Sequence, residues 1–103
     1  MSGYILAPEA EDDLFQIWCY LVVEAGLQTA DRLETRLFGS FETLVKNPHL
    51  GHKRSDLTNF PVLFLRVRPY SYLIVYQPEP QIQIVGVLHG NRDIENVLRQ
   101  RLS

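Results

Sequence analysis

The sequence of 103 residues holds one cysteine, one methionine and one tryptophan, and its ten basic residues do not outnumber its twelve acidic ones. A lone Cys19 excludes an intrachain disulfide and leaves no cysteine-based zinc site, so a reducing compartment, the cytoplasm, is the expected location. No apolar run approaches the roughly 20 residues that a membrane span requires, so no membrane association is expected. The first seven residues lack a basic stretch leading into an apolar one, which argues against a signal peptide. Affinity for nucleic acid comes chiefly from Lys and Arg on phosphates, and a net charge of −2 offers no surplus. No direct sequence-specific nucleic-acid binding is therefore expected. No cofactor signature is present, and His49-x-x-His52 lacks the further ligands that a metal site needs.

What the chain does have is apolar bulk, 46% of its residues, of which the aromatics make up 11 points. That suffices for a real core in one domain spanning 1–103. Tyr4–Leu6 reads as a short strand. Pro8 then fits a first helical turn, with Glu9, Glu11 and Asp12 matched to the helix dipole. The acidic cluster Glu9–Asp13 reads as a solvated helix start. Leu14, Ile17, Trp18, Leu21, Val22 and Ala25 share one helical face, and Gly26 ends the helix. A second amphipathic pattern runs through Ala30, Leu33, Leu37, Phe41, Leu44 and Val45 to Asn47-Pro48. So short a link makes the two helices an antiparallel hairpin. Gly39 reads as a close-packing position against the first helix, while Trp18, Phe38, Phe41 and Phe64 read as core.

Residues 47–61 read as a loop, and loops of that length are commonly functional or mobile. Three strand-like runs follow, 62–68, 70–77 and 81–88, split by Pro69 and by Pro78-Glu79-Pro80. Alternation puts Leu63, Leu65 and Val67 on one face and Val62, Phe64, Arg66 and Arg68 on the other. In the next strand Tyr70, Tyr72, Ile74 and Tyr76 oppose Ser71, Leu73 and Val75. Both faces carry apolar bulk, so the second one needs a cover, which a C-terminal helix over 94–102, capped by Asp93, or a partner chain can provide. The fold class is α+β: a helical hairpin on an antiparallel-rich four-stranded sheet, ordered β-α-α-β-β-β with a short C-terminal helix.

The segments APEAEDDLFQIWCYLVVEAGLQTADRL, KNPHLGHKRSDL, SYLIVYQ and VLHGNRD, in that order and spacing, resemble the ParE branch of the RelE/ParE toxin superfamily over about Tyr4 to Leu98. The resemblance implies the toxin of a type II toxin–antitoxin pair, of the kind found in plasmid stabilisation systems. Its partners are then a cognate antitoxin and DNA gyrase, inhibited by protein–protein contact rather than catalysis, and a homodimer or a heterotetramer with the antitoxin is compatible with it. Two alternatives stay open: a RelE-like ribosome-dependent mRNA endoribonuclease, and an inactive relative that only binds antitoxin. Arg68 and Arg92 stand at positions resembling the phosphate-binding arginines of the ribonuclease branch. That branch's C-terminal tyrosine has no counterpart in residues 94–103, and the second arginine common in HGNRD-like stretches is Asn91 here. No catalytic residue is assigned.

For contact with target or antitoxin the candidates are Arg66, Arg68, Tyr70, Tyr72, His89, Arg92 and Arg99. Arg66 and Arg68 read as one basic-aromatic patch with the two tyrosines, and His89 as a residue that ties down the turn at Gly90. An Arg92 ion pair inside the fold competes with a contact role. Residues 1–48 carry eight acids and three bases, whereas residues 49–103 carry four acids and seven bases. The sheet side is therefore the expected meeting surface for an acidic antitoxin or an anionic target.

Overall fold

A computed structural model describes residues 3–103. The element order is β1 (Tyr4–Leu6), α1 (Pro8–Ala25), α2 (Leu27–Lys46), β2 (Leu63–Val67), β3 (Tyr72–Gln77), β4 (Ile82–His89) and α3 (Ile94–Leu102). The four strands form one sheet in the order β1-β4-β3-β2, with β1 parallel to β4 and the other pairs antiparallel. This is the expected α+β architecture. α1 starts on Pro8 with Glu9 and Glu11 in its first turn. Gly26 alone links it to α2 and takes a positive φ of 95°, where a side chain is strained. Asp93 caps α3, its side chain accepting from the Asn96 N–H at 3.3 Å.

The sheet is apolar on both sides, and each face has its own cover. On the front face Leu33, Leu37, Phe41 and Leu44 of the hairpin pack against Ile74, Tyr76, Ile82, Ile84 and Val87. On the back face Ile94 and Leu98 of α3 cover Val62, Phe64, Val75, Val85 and Leu88. The strand alternation read from sequence holds for β2 and β3. It fails in β4, where Val75 pairs with Gly86 but Tyr76 pairs with Ile84, leaving Val85 as the extra residue of a bulge. The bulge lets Ile84 and Val87 face the front core while Val85 and Leu88 face the back.

The bulge lies where β4 loses its outer neighbour, since β1 reaches only as far as Ile84. Two side chains take over that edge. Asp13 of α1 accepts the Val87 N–H at 2.9 Å, and Arg101 of α3 donates to the Val85 carbonyl at 3.3 Å. The two also join in a bidentate pair, Nη1 to Oδ2 at 2.7 Å and Nη2 to Oδ1 at 2.8 Å. Gly86 makes room for it, because a Cβ there would stand 2.4 Å from Arg101 Nη1. Hydrogen bonding to Asp13 raises the Arg101 pKa further above its already high ordinary value, outweighing the opposing effect of burial. The acidic cluster is thus not wholly solvated. Asp13 is buried and structural, while Glu9, Glu11 and Asp12 stay exposed as expected.

The stretch 47–61 is also less free than its composition suggests. His52 and Phe64 exchange both backbone hydrogen bonds, at 2.9 and 2.8 Å, adding one bridge to the outer edge of β2. The Tyr76 hydroxyl donates to the Pro48 carbonyl and accepts from the Gly51 N–H, both at 2.8 Å. Gly51 is needed there, since a Cβ would come within 2.8 Å of the Phe64 carbonyl oxygen and of the Tyr76 ring. Two core assignments change. Phe38 is exposed, touching Phe41 edge-on, and Trp18 is half-buried with its Nε1–H bonded to Asp31 at 3.0 Å. Gly39 does not pack against α1, as nothing lies within 4 Å of the position its Cβ would take.

Four stability outcomes follow, each checked by denaturant unfolding. Arg101→Ala strands a buried carboxylate and costs about 3–5 kcal/mol. Gly86→Ala costs a similar amount by displacing the same guanidinium, so the double variant falls short of additivity by more than about 1 kcal/mol. Tyr76→Phe leaves the Gly51 N–H and the Pro48 carbonyl unpaired, costs about 1–3 kcal/mol, and speeds amide exchange at His52 and Phe64. Burial raises the Tyr76 pKa above 10, so its contribution is complete below that pH and is lost as pH climbs through the folded-state value. The Phe variant therefore shows a shallower alkaline loss. Gly39→Ala gains about 1 kcal/mol, because it improves helix propensity in open space.

Candidate functional site

The sheet separates two clefts that meet at the turns beside Ser71 and Arg92. The back cleft, with a volume of about 400 Å³, lies between the 52–57 segment, the end of β2 and the turn into α3. Its walls carry His52, Arg54, Arg66, Asn91 and Arg92 over a floor of Leu57, Phe64, Leu73 and Ile94. The front groove, about 640 Å³, runs between α1 and the β3–β4 end. Asp12, Gln16, Ile17 and Tyr20 line one side, and Tyr70, Tyr72, His89 and Arg92 the other.

This geometry splits the patch that alternation and proximity in sequence had joined. Arg66 follows Phe64 onto the back face, whereas Tyr70 and Tyr72 pack on the front with the hairpin core. Arg68 lies past the end of β2, exposed in the turn, and lines neither cleft. Arg99 stands apart as well, on the exposed side of α3, paired with Glu95 at 2.7 Å one helical turn away. Such an i,i+4 surface pair needs no external partner. Of the seven candidates, Tyr70, Tyr72, His89 and Arg92 come together in the front groove, and Arg66 joins Arg92 in the back cleft.

His89 ties down its turn as expected. Its Nδ1 accepts the Asn91 N–H at 3.1 Å, which puts the imidazole proton on Nε2, and its ring meets Tyr72 edge-on at 5.4 Å. Burial and the neighbouring Tyr20 raise the Tyr72 pKa, so that hydroxyl stays protonated at neutral pH. Arg92 pairs with no neighbour inside its own turn. Asp93 is occupied in capping α3, and Arg92 Nη1 lies 4.0 Å from Asp13 Oδ1, beyond hydrogen-bond reach.

Sequence reasoning missed four contributors. Arg54 enters the back cleft but is held by Asp56 through two hydrogen bonds, at 3.0 and 2.8 Å, which also lower the Asp56 pKa. His52 lines the same cleft while His49 turns away toward Glu79, 3.4 Å off, so the pair does not act together. Tyr20, on the outer face of α1, completes the aromatic wall of the front groove. Asp13 had a signal in sequence, a carboxylate set between Ala10 and Ile17 on the buried stripe of α1. Among the described residues no group of three or more His, Cys, Asp or Glu side chains gathers as a metal set. Nor is any helix long and apolar enough to cross a membrane.

The ParE toxin of the type II toxin–antitoxin system parDE supplies the family model that matches this chain, over residues 4–94. Among solved structures the chain is similar to one described as the chromosomal ParDE TA system from P. aeruginosa, with a TM-score of 0.73. The two are 18% identical, and the match covers 84% of this chain and 94% of that one. At that identity the likeness speaks to the fold alone. No curated protein sequence matches. The family match spans β1 to the start of α3, including every strand of the sheet and the whole back cleft, and the chain therefore belongs to the ParE toxin family of type II toxin–antitoxin systems.

Proposed function

We propose that this chain inhibits DNA gyrase in the cytoplasm by protein–protein contact, without catalysing a reaction, and that a cognate antitoxin neutralises it. Membership of the ParE family supports the module and its target class. The observation that carries the non-catalytic reading is that the cations are divided between two clefts: beside the tyrosines of the front groove stand only Arg92 and an Arg101 already held by Asp13. Cleaving RNA at a 2′-hydroxyl requires a general base, a general acid and cations converging on one phosphate. The back cleft gathers Arg54, Arg66, Arg92 and His52, but no tyrosine or carboxylate lines it. Tyr20, Tyr70 and Tyr72 stand on the other side of the sheet.

A surface suited to protein contact lies elsewhere, on the outer side of α1 and the hairpin tip. Phe15, Tyr20, Val23 and Leu27 are exposed there, Val23 to 83%. Isolated exposed apolar residues are ordinary, but three of them on α1 and a fourth at the first residue of α2 are what a contact face needs. The competing reading, a RelE-like endoribonuclease, draws on the back cleft, where His52 and three arginines offer a start on phosphate chemistry.

Induction of the chain in growing bacteria separates these readings. A gyrase poison yields cleaved DNA and the DNA-damage response while protein synthesis continues at first. The purified chain then traps cleaved DNA in a gyrase supercoiling assay. An immediate halt of translation with intact DNA overturns the proposal in favour of the ribonuclease, and the absence of any growth effect leaves only a relative that binds antitoxin.

A further inference from the structure

We propose that two copies of this chain associate through the outer face of α1, the two helices lying antiparallel about a two-fold axis at Cys19. The proposal concerns the chain by itself and holds whatever target it meets.

α1 is apolar on more than the side it buries. Between Asp13 and Glu24 the helix carries no charge and a single amide, Gln16. Ala10, Leu14, Ile17 and Leu21 pack into the front core. At about 100° per residue, Phe15, Cys19, Val22 and Val23 fall on the opposite side. Phe15 is 61% exposed there and Val23 83%. A helix that is apolar all round is normally buried all round, so this second stripe lacks its cover among the described residues.

Two features of the stripe select a second copy as that cover. The first is its symmetry. Phe15 precedes Cys19 by as many residues as Val23 follows it, so an antiparallel copy centred on Cys19 sets each large ring against the smaller Val23 of the partner subunit. The small Cys19 lies at the crossing, where the helices come closest. A two-fold interface requires such a self-complementary patch.

The second is charge. The same face begins on Glu11 and Asp12, both exposed. Asp12 precedes Cys19 by as many residues as Gly26 follows it, so in this arrangement the acidic turn meets the partner's hairpin tip, where α2 begins. That start has no side-chain cap and no acid in its first turn, which leaves the positive end of the α2 dipole without a counter-charge of its own. Each acidic turn supplies what the other copy's α2 lacks. A lipid surface suits the face less well, because helices that lie on membranes carry Lys and Arg along their polar side and α1 has neither.

The seam is one helix wide and buries less than the roughly 1,200 Å² of a stable interface, so the dimer dissociates on dilution. It covers Phe15 and Val23, and the monomer is the form that presents them to a target.

The test is sedimentation of the purified full chain over a dilution series, together with thiol cross-linking at Cys19 by a short bismaleimide. Expected are a monomer–dimer equilibrium and a covalent dimer through Cys19. Moving the thiol, in Cys19→Ala combined with Val23→Cys, gives no cross-link, because the two copies of position 23 stand about 12 Å apart along the axis at 1.5 Å per residue. Val23→Glu, with Tm unchanged at so exposed a position, weakens the dimer more than about tenfold. Leu50→Glu, also exposed but on the loop after α2, leaves it unaltered. Glu11→Gln combined with Asp12→Asn weakens it about tenfold through loss of the dipole contacts on both copies. A chain that stays monomeric throughout, a dimer indifferent to Val23→Glu, tighter association once the acids are neutralised, or equal cross-linking from position 23 overturns the proposal. Every readout is taken without gyrase, so this proposal and the proposed target can fail independently.

Discussion

The pair between Asp13 and Arg101 is the constraint on which the layered arrangement turns. β4 is central to the sheet for half its length and an open edge for the rest, because β1 stops at Ile84. Exposed strand edges invite unwanted pairing, and buried ones leave polar backbone unsatisfied. Here one carboxylate takes the Val87 N–H and one guanidinium takes the Val85 carbonyl, so two side chains stand where a neighbouring strand would have been. The carboxylate comes from the front layer and the guanidinium from the back, and their mutual pairing joins the two layers across the sheet. Taking both groups out of water is costly, and the geometry compensates only because two charged contacts and two backbone contacts are made at once. Gly86 is the third member, since any side chain there would evict the arginine.

That arrangement also explains which parts of the structure could be read from sequence. Helix positions, the hairpin, the face assignments of β2 and β3 and the Asp93 cap all follow from periodicity and local capping chemistry, which act over a few residues. The ion pair joins residues 88 apart, and neither partner announces the other. Both nonetheless leave a mark. Asp13 sits on the stripe of Ala10 and Ile17, and Arg101 on that of Ile94, Val97 and Leu98, so each helix carries one charge on its apolar face. Two such charges of opposite sign in a small domain point to each other. Gly86 within an apolar strand is the usual mark of a bulge or a close approach.

The candidate site is harder to read from sequence because residues close along the chain part to opposite faces of the sheet. Arg66 and Arg68 precede Tyr70 and Tyr72 by a few residues, yet the tight turn after β2 reverses the chain, and strict alternation then sends Arg66 and Tyr72 to opposite faces. Alternation alone, carried across the register of Val67 with Tyr72, contained that answer. Arg99 stands apart for a different reason, because Glu95 one turn earlier on α3 meets its charge.

The two sides of the sheet therefore differ in kind, and the difference bears on how such a chain is controlled. The hairpin side exposes apolar and acidic groups, Val23 and Leu27 at its tip and Glu9, Glu11 and Asp12 at its start. The back side exposes arginines whose donors are not consumed by the fold. Contacts with unlike chemistry on opposite faces can be occupied by different partners, or by different segments of one partner, without competing for the same residues. Arg92 is the exception, lining both clefts and lying next to the carboxylate that holds α3 in place.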